Sequence, residues 1–346
     1  MRRAILIIAA LTVLWSCEKM HDPKLHAGGY IEIHPELSKD ASIDVMWEDG
    51  WRARWLVEWD ESSRGPLGYS APESYHMYFV PEENGKPVGQ RDIPAGNSAR
   101  LKLSYGYYGL MVYSNDYQLI RLEESPDGKS LKAMTGKDPY AALPDTLEGH
   151  DRLRNMPEQL FSTFDDDIYI SPELKDYEYV EREGIWILRR EELVMPRVYI
   201  YLLQAELLND RDRIAGCGSS TMTGLAESTE LFGVKSDDGG VAHQFPSFCQ
   251  KKTIGGVERE FVAGRMITFG SAGQARNLCH LRLRYNNGGS RFMTFDVTDQ
   301  VLRQPKGGVI NIVINIDDYP LPDPDSDGGW DTTVGGWKRE DHFTTI

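Results

Sequence analysis

Val309-Ile310-Asn311-Ile312-Val313-Ile314-Asn315-Ile316 is the stretch from which the fold can be read. Isoleucines 310, 312, 314 and 316 recur at every second position, and Asn311 and Asn315 fall between them. Successive side chains of a strand point to opposite faces, so this spacing sets an apolar face against a polar one. A helix would scatter the same isoleucines around its axis. Period two recurs upstream. Tyr75, Met77 and Phe79 share a face in residues 75–80, and Pro81 with Glu82-Glu83-Asn84-Gly85 closes that run as a turn. Ala99, Leu101 and Leu103 alternate with Arg100 and Lys102, and residues 107–113 form an aromatic-rich strand closed by Ser114-Asn115-Asp116. Residues 30–33, 43–47 and 54–59 are read as earlier strands.

A second block of strands begins near Met195-Pro196, where Val198, Ile200 and Leu202 alternate. Leu281, Leu283 and Tyr285 alternate in a later strand that runs into Asn286-Asn287-Gly288-Gly289. An Asn-Gly pair between alternating runs signals a hairpin, with residues 291–297 as its return strand. Residues 124–190 are less regular. Residues 167–170 and 184–188 are short strand candidates, and Met156-Pro157-Glu158-Gln159-Leu160-Phe161 is read as one helical turn with proline in its first turn. No long segment keeps a period of 3.6. The chain is therefore expected to be all-β, with two tandem β-sandwich domains. Residues 28–190 would form the first with a connecting segment, residues 191–320 the second, and residues 321–346 an acidic Gly/Pro-rich tail.

The N-terminus reads MRRAILIIAALTVLWSC. Arg2 and Arg3 give a positive start, and Ala4 to Leu14 an apolar run too short to span a bilayer. Leu14-Trp15-Ser16-Cys17 resembles the lipobox of bacterial lipoproteins. The resemblance implies removal of a signal peptide, residues 1–16, acylation of Cys17, and a polar tether over residues 17–27. Localisation in the outer membrane of the cell envelope, on either face, follows from that reading. Without residues 1–16 the chain carries 36 Lys+Arg against 53 Asp+Glu, a formal charge of −17. Such a chain repels phosphate backbones, so nucleic acid is not an expected partner. Cys217, Cys249 and Cys279 make no disulfide framework and have no zinc-ligand spacing. One bridge plus a leftover thiol, or three structural cysteines, are both open.

No constellation assembles a catalytic set, and no cofactor is expected. Asp165-Asp166-Asp167 is the densest acidic run, but neighbouring side chains diverge, so it is read as a solvated turn rather than a glycosidase pair. Asp323-Pro324-Asp325-Ser326-Asp327-Gly328 has the pattern of a calcium loop, with Asp331 at the ninth position. Val334 replaces the bidentate glutamate, so Asp323, Asp325, Asp327 and Asp331 are a weak calcium candidate inside a charged tail. The histidines have no metal spacing, and Gly216-Cys217-Gly218-Ser219-Ser220 lacks the setting that activates a nucleophile. Trp47, Trp51, Trp55 and Trp59 recur every four residues. They are read chiefly as core of the first sandwich, with an exposed platform for sugars or a protein partner as the alternative. Tyr105, Tyr107, Tyr108 and Tyr113 pose the same question.

Residues 75–81 followed by Tyr105-Gly106-Tyr107-Tyr108-Gly109-Leu110-Met111-Val112-Tyr113-Ser114-Asn115-Asp116 resemble the N-terminal domain of Bacteroidetes lipoproteins of the fimbrillin-like class. Phe295-Asp296-Val297-Thr298-Asp299-Gln300-Val301 resembles a C-terminal motif of the same class, and Met222-Thr223-Gly224-Leu225 matches loosely a small-residue segment of it. The resemblance implies two transthyretin-like sandwiches and a role among type V pilus subunits or anchors, which assemble by β-strand complementation. It supplies no catalytic residues. Two departures bear on the role. Lys39, Arg52 and Arg54 offer no distinct protease site after the first strand, and the acidic tail after Ile316 makes a poor donor strand. A lipid-anchored, non-enzymatic protein that anchors or assembles surface filaments, or an adhesin-like accessory, is the expectation. A surface glycan-binding lipoprotein using exposed tryptophans is the alternative. The expected partners are the membrane, through the lipid, and other fimbrillin-like subunits, with glycans under the alternative.

Overall fold

The computed structural model describes residues 28–324, apart from residues 84, 126–129, 142, 234–238 and 274. Cys17 and the signal-peptide and tether readings fall outside the described residues, as do Asp325, Asp327 and Asp331. The fold is all-β. In chain order come β1 (Gly28–Leu37), α1 (Ile43–Met46), α2 (Trp51–Arg54), α3 (Glu61–Arg64), β2 (Ser74–Pro81), β3 (Val88–Pro94), β4 (Ala99–Ser104) and β5 (Gly106–Ser114). There follow β6 (Ile120–Glu124), β7 (Leu131–Thr135), β8 (Leu153–Arg154), β9 (Phe161–Ile170), β10 (Glu178–Val180), β11 (Ile185–Pro196), β12 (Tyr199–Leu208) and β13 (Ile214–Cys217). The remainder are β14 (Ser220–Ala226), β15 (Ser228–Glu230), β16 (Gly240–Phe245), β17 (Ser247–Ile254), β18 (Val257–Thr268), β19 (Leu278–Tyr285), β20 (Ser290–Asp296), α4 (Thr298–Arg303) and β21 (Gly308–Asn315).

The chain divides into two compact units, each drawn from separated segments. Unit 1 takes residues 28–36, 74–112 and 164–193 of the described chain, and unit 2 takes residues 37–73, 113–163 and 194–324.

Unit 1 is built on the strand order β3-β2-β5-β9-β11-β1-β4, with β10 paired to β11. Its core follows the period-two reading. Ile31 and Ile33 of β1, Tyr75, Met77 and Phe79 of β2, Leu101 and Leu103 of β4, and Tyr108, Leu110 and Val112 of β5 are all buried. The opposite face of β4, β1, β11 and β10 carries a row of alternating charges in water. Arg100 donates to Glu32 at 2.8 Å, Arg189 lies 3.5 Å from Glu32, and Arg189 lies 3.0 Å from Glu178. An antiparallel sheet tolerates one wet face in this way.

Unit 2 contains a two-layer sandwich. One layer is β17-β18-β12-β21, in which β21 runs parallel to β12 and the other pairs are antiparallel. The other is β13-β19-β14-β16-β8, with β20 beside β19. Between them lies one apolar core that includes Tyr201, Leu203 and Ala205 of β12, Met222 of β14, Leu281 and Leu283 of β19, and Ile310, Ile312 and Ile314 of β21. The isoleucine row of β21 faces this core as its spacing predicts, and Asn311 is exposed. The hairpin at 286–289 also forms, with Gly288 donating to the Tyr285 carbonyl and Tyr285 to the Gly289 carbonyl. A small sheet, β15-β7-β6, completes the unit.

Several local expectations are corrected. Residues 43–47 and 54–59 are not strands. Ser42 accepts from the Asp44 N–H and starts the turn α1, Gly50 in left-handed conformation starts α2, and residues 55–60 are irregular. A hydroxyl that captures a free N–H of a first turn favours a helix start over extension. Residues 156–160 make no helical turn. The chain there runs into β9, whose Phe161 N–H donates to Ser114 Oγ and whose Ser162 pairs with Met195. Asp165, Asp166 and Asp167 lie on β9 rather than in a turn, and Asp165 pairs with Arg190.

Residues 37–73 account for an unexpected feature of the four-stranded layer. On β12 both faces are buried: Tyr201 and Leu203 toward the core, Ile200 and Leu202 away from it. The segment lies along this second face and is fastened by side chains of the sheet. Gln204 accepts from the Leu56 N–H and donates to the Arg54 carbonyl. Gln250 accepts from the Glu58 N–H, and Arg265 donates to the Leu67 and Gly68 carbonyls. Tyr69 donates to the Val198 carbonyl at 2.8 Å. Trp55 and Leu56 pack with Val57, Phe261 and Ala263. Trp47 and Trp51 meet edge to face at 4.8 Å. A β-carbon on Gly307, whose φ is +94°, would come within 2.8 Å of Trp47 Nε1 and 2.2 Å of the Ile200 carbonyl. Trp47 thus sits where the turn into β21 crosses β12.

Candidate interaction surface

The tryptophan repeat does not form an exposed platform. Trp47 and Trp51 are buried, and Trp55 and Trp59 are half-buried. Trp59 donates to the Gly65 carbonyl and packs on Phe248. The four serve packing, as the first reading had it, but in the unit that also holds residues 194–324.

The tyrosines do otherwise. In β5, Tyr108 faces the core of unit 1 and hydrogen-bonds the Ser104 carbonyl, so its neighbour Tyr107 must face out. In β9, Ile168 and Ile170 are fully buried and Tyr169 faces out between them. β5 and β9 are sheet neighbours, and the two outward rings stack with centroids 4.5 Å apart and planes 24° from parallel. Tyr107 is 52% exposed, Tyr169 44% and Tyr105 40%. Tyr177 is buried beside them, and burial together with the nearby Tyr105 and Tyr169 raises its phenol pKa.

This cluster lies where the described chain begins. Gly28 pairs with Ser104, immediately before Tyr105. A β-carbon on Gly28 would sit 2.3 Å from the Leu103 carbonyl, and one on Gly29 2.8 Å from the Tyr177 hydroxyl, so glycine is needed for the chain to pass. A second outward pair lies on the β10–β11 hairpin. Tyr179 is opposite Trp186 in register, with ring centroids 5.1 Å apart. Rings that keep an apolar body and a hydroxyl or indole N–H at the surface can bind a partner by burial and still satisfy their polar ends. The stacked pair is partly legible in the sequence: Tyr107 stands in an aromatic-rich run, but nothing local marks Tyr169, which meets it from a distant strand.

In unit 2 the notable surface is the edge of β21. Gln304 of the α4 turn donates to the Val309 carbonyl and accepts from the Val309 N–H, both at 3.1 Å. Gln300, one turn earlier, does the same for Asn311, both at 2.9 Å. Two amide side chains thereby take the place of a neighbouring strand for half of β21. Val313, the next outward residue, is 52% exposed.

The remaining candidate residues do not converge. Asp323 is the one calcium candidate among the described residues, and no group of His, Cys, Asp or Glu there has the arrangement to hold a metal. His243 and His280 are buried, and burial lowers both pKa values to about 4. Residues 216–220 join β13 to β14.

No family model matches the sequence, and no curated protein matches it. Solved structures do. A candidate adhesin from Bacteroides ovatus superposes with a TM-score of 0.54 at 15% identity, over 86% of this chain and 94% of that one. A candidate adhesin from Bacteroides thetaiotaomicron gives 0.48 at 10% identity over 84% and 92%. The fimbrial anchor protein Mfa2 from Porphyromonas gingivalis gives 0.44 at 9% identity over 83% and 91%. The first of these establishes a shared fold along nearly the whole described chain. The all-β fold shared with the first is the one that the resemblance to the fimbrillin-like class implies.

Proposed function

We propose that this chain is a lipid-anchored protein of the cell envelope that holds or assembles surface filaments as an adhesin-like accessory. The observation that carries the reading is the outward tyrosine cluster of unit 1, displayed on a fold shared with a candidate adhesin. The cluster stands beside Gly28, where the proposed tether from Cys17 would join the fold. A contact made there would be held close to the anchor. The partly clamped edge of β21 supports strand complementation as the second mode of contact, since the two glutamines serve only Val309 and Asn311 and the next outward residue, Val313, is exposed.

A deletion strain complemented with variants tests this reading. Cys17→Ser is expected to move the protein from the membrane fraction to the soluble fraction and to lower the adherence or filament retention of the cells. A Tyr107→Ser, Tyr169→Ser double variant is expected to stay anchored and folded, yet to lower the same readout. Cys17→Ser protein that remains in the membrane fraction would overturn the anchor. Adherence and filament retention unchanged in the deletion strain would overturn the role.

A further inference from the structure

We propose that Cys217 and Cys249 form a disulfide that ties the two layers of the unit 2 sandwich together at one corner. The geometry begins at Pro246, where the chain changes sheets. β16 pairs with β14 as far as Phe245 opposite Ser220, and β17 then pairs with β18 from Ser247 opposite Gly264. Up to that point the two strands are neighbours in one sheet. Beyond it they belong to different layers, and β13 and β17 each become the terminal strand of their layer. The Ser247 hydroxyl still donates to Ser220 Oγ at 2.7 Å across the corner. Cys217 and Cys249 are the next side chains along the same seam.

Both cysteines point inward. Cys217 is in register with Leu283 and Cys249 with Val262, both core residues, and both cysteines pack against that same core. β13 and β17 approach within 8 Å, Cα to Cα, and the two thiols are within hydrogen-bonding reach of each other. Side-chain rotation then has to bring the sulfurs to the ~2.05 Å of a disulfide. Both are half-buried and so open to an oxidant. Cys279 has no such access. It lies fully buried at the start of β19, where burial raises its pKa and keeps it a thiol. Of the three pairings the sequence leaves open, the fold selects one.

The hydrogen bond from Cys249, with Arg284 and Arg64 nearby, lowers the pKa of Cys217. The same hydrogen bond, burial and Glu260 raise that of Cys249. With Cys217 as the attacking thiolate, a sulfur of a disulfide oxidant of protein or small-molecule type is attacked. A mixed disulfide forms, and one thiolate of the oxidant leaves and takes up a proton. Cys249 then gives up its proton and attacks the Cys217 sulfur, expelling the second oxidant thiol. Two cysteine thiols are oxidised to one disulfide, and the oxidant's disulfide is reduced to two thiols. In the cell this step rests on the export read from residues 1–17, but in the test tube it does not.

The test uses the chain from residue 17 carrying Cys17→Ser, purified with a reductant and then equilibrated with glutathione disulfide. Peptide mass mapping is expected to find the Cys217 and Cys249 peptides joined, two hydrogen atoms lighter than their sum. Cys279 should then be the only thiol alkylated after unfolding. The thermal midpoint should rise by about 5–10 °C on oxidation, a gain reversed by reductant and absent from Cys217→Ser and Cys249→Ser. Cys279→Ala should leave the link in place. Three alkylated cysteines after oxidation, or a stable glutathione adduct on Cys217 with Cys249 free, would overturn the pairing. Acid-trapped envelope fractions address the cellular half. Reduced Cys217 and Cys249 there, with the link forming normally in vitro, would overturn the export reading and leave the pairing intact.

Discussion

The two units solve the problem of a sheet's outer face in opposite ways. In unit 2, β12 is buried on both sides, its outer face covered by residues 37–73 and held by Gln204, Gln250 and Arg265. In unit 1 the outer faces stay in water, one bearing the row Arg100–Glu32–Arg189–Glu178 and another the stacked pair Tyr107 and Tyr169. Exposed rings that add little to a core are available for a partner. Rings sealed beneath a strap are not. The contrast assigns the tryptophans of unit 2 to stability and, under the proposed function, the outward tyrosines of unit 1 to display.

The largest test of that division removes an aromatic residue from each unit. Trp47→Ala should destabilise the protein by about 3–5 kcal/mol, because the ring is buried over the turn into β21. Tyr107→Ser, exposed on unit 1, should change stability by no more than about 0.5 kcal/mol. Urea unfolding of both variants reads the difference directly. Equal losses would break the comparison.

A middle-sized effect separates the two glutamines on β21. Gln304 is buried, and Gln304→Ala leaves the Val309 N–H and C=O without partners, at a cost of about 2–3 kcal/mol. Gln300 serves the exposed Asn311, where water can replace the lost amide, so Gln300→Ala should cost under about 1 kcal/mol. Both losses would be read from the same urea curves. A larger loss at Gln300 would show that the clamp depends on the side chains alone and not on burial.

Much of this architecture is legible in the sequence. The isoleucines of β21, the Asn-Gly hairpin and the alternation in β2 and β4 each carry their periodicity within a few residues. What is not legible is what crosses long separations. Residues 43–47 and 54–59 read as strands, whereas Ser42 and Gly50 start helical turns at 43–46 and 51–54. The partner of Leu56 is Gln204, and a period-two pattern in β12 cannot announce that its second face is also covered. Likewise Tyr107 is visible in its strand, but its stacking on Tyr169 depends on sheet order, and so does the approach of Cys217 to Cys249.

The smallest expected effect sharpens the comparison through pH. Each unit buries one carboxyl with its pKa raised to about 7. Glu192 in unit 1 is raised by burial and then by Asp165, against Arg190, and Glu260 in unit 2 by burial and Asp210, against Lys251. Such a group stays protonated in the folded state while the unfolded chain loses its proton above about 4.5. Stability therefore falls as pH rises from about 4.5 to about 7 and stays low beyond. Glu192→Gln keeps the neutral shape and should gain about 1–2 kcal/mol at alkaline pH and nothing in acid. His243 and His280, both in unit 2, work the other way. With folded values of about 4 against 6.5, they stay neutral while the unfolded chain takes up protons, so stability falls as pH drops through that interval. The two carboxyls oppose this fall over its upper part, from about 6.5 down to about 4.5, so the histidines are best read by difference. In His243→Gln the slope of unfolding free energy against pH should shift over that interval, the acid loss shrinking whatever the offset in absolute stability. In Glu192→Gln the slope should change only between about 4.5 and 7, by removing one declining contribution. If Glu192→Gln instead matched the wild type at alkaline pH, the buried carboxyl of unit 1 would be reached by water, and display would extend further into that unit than its exposed rings.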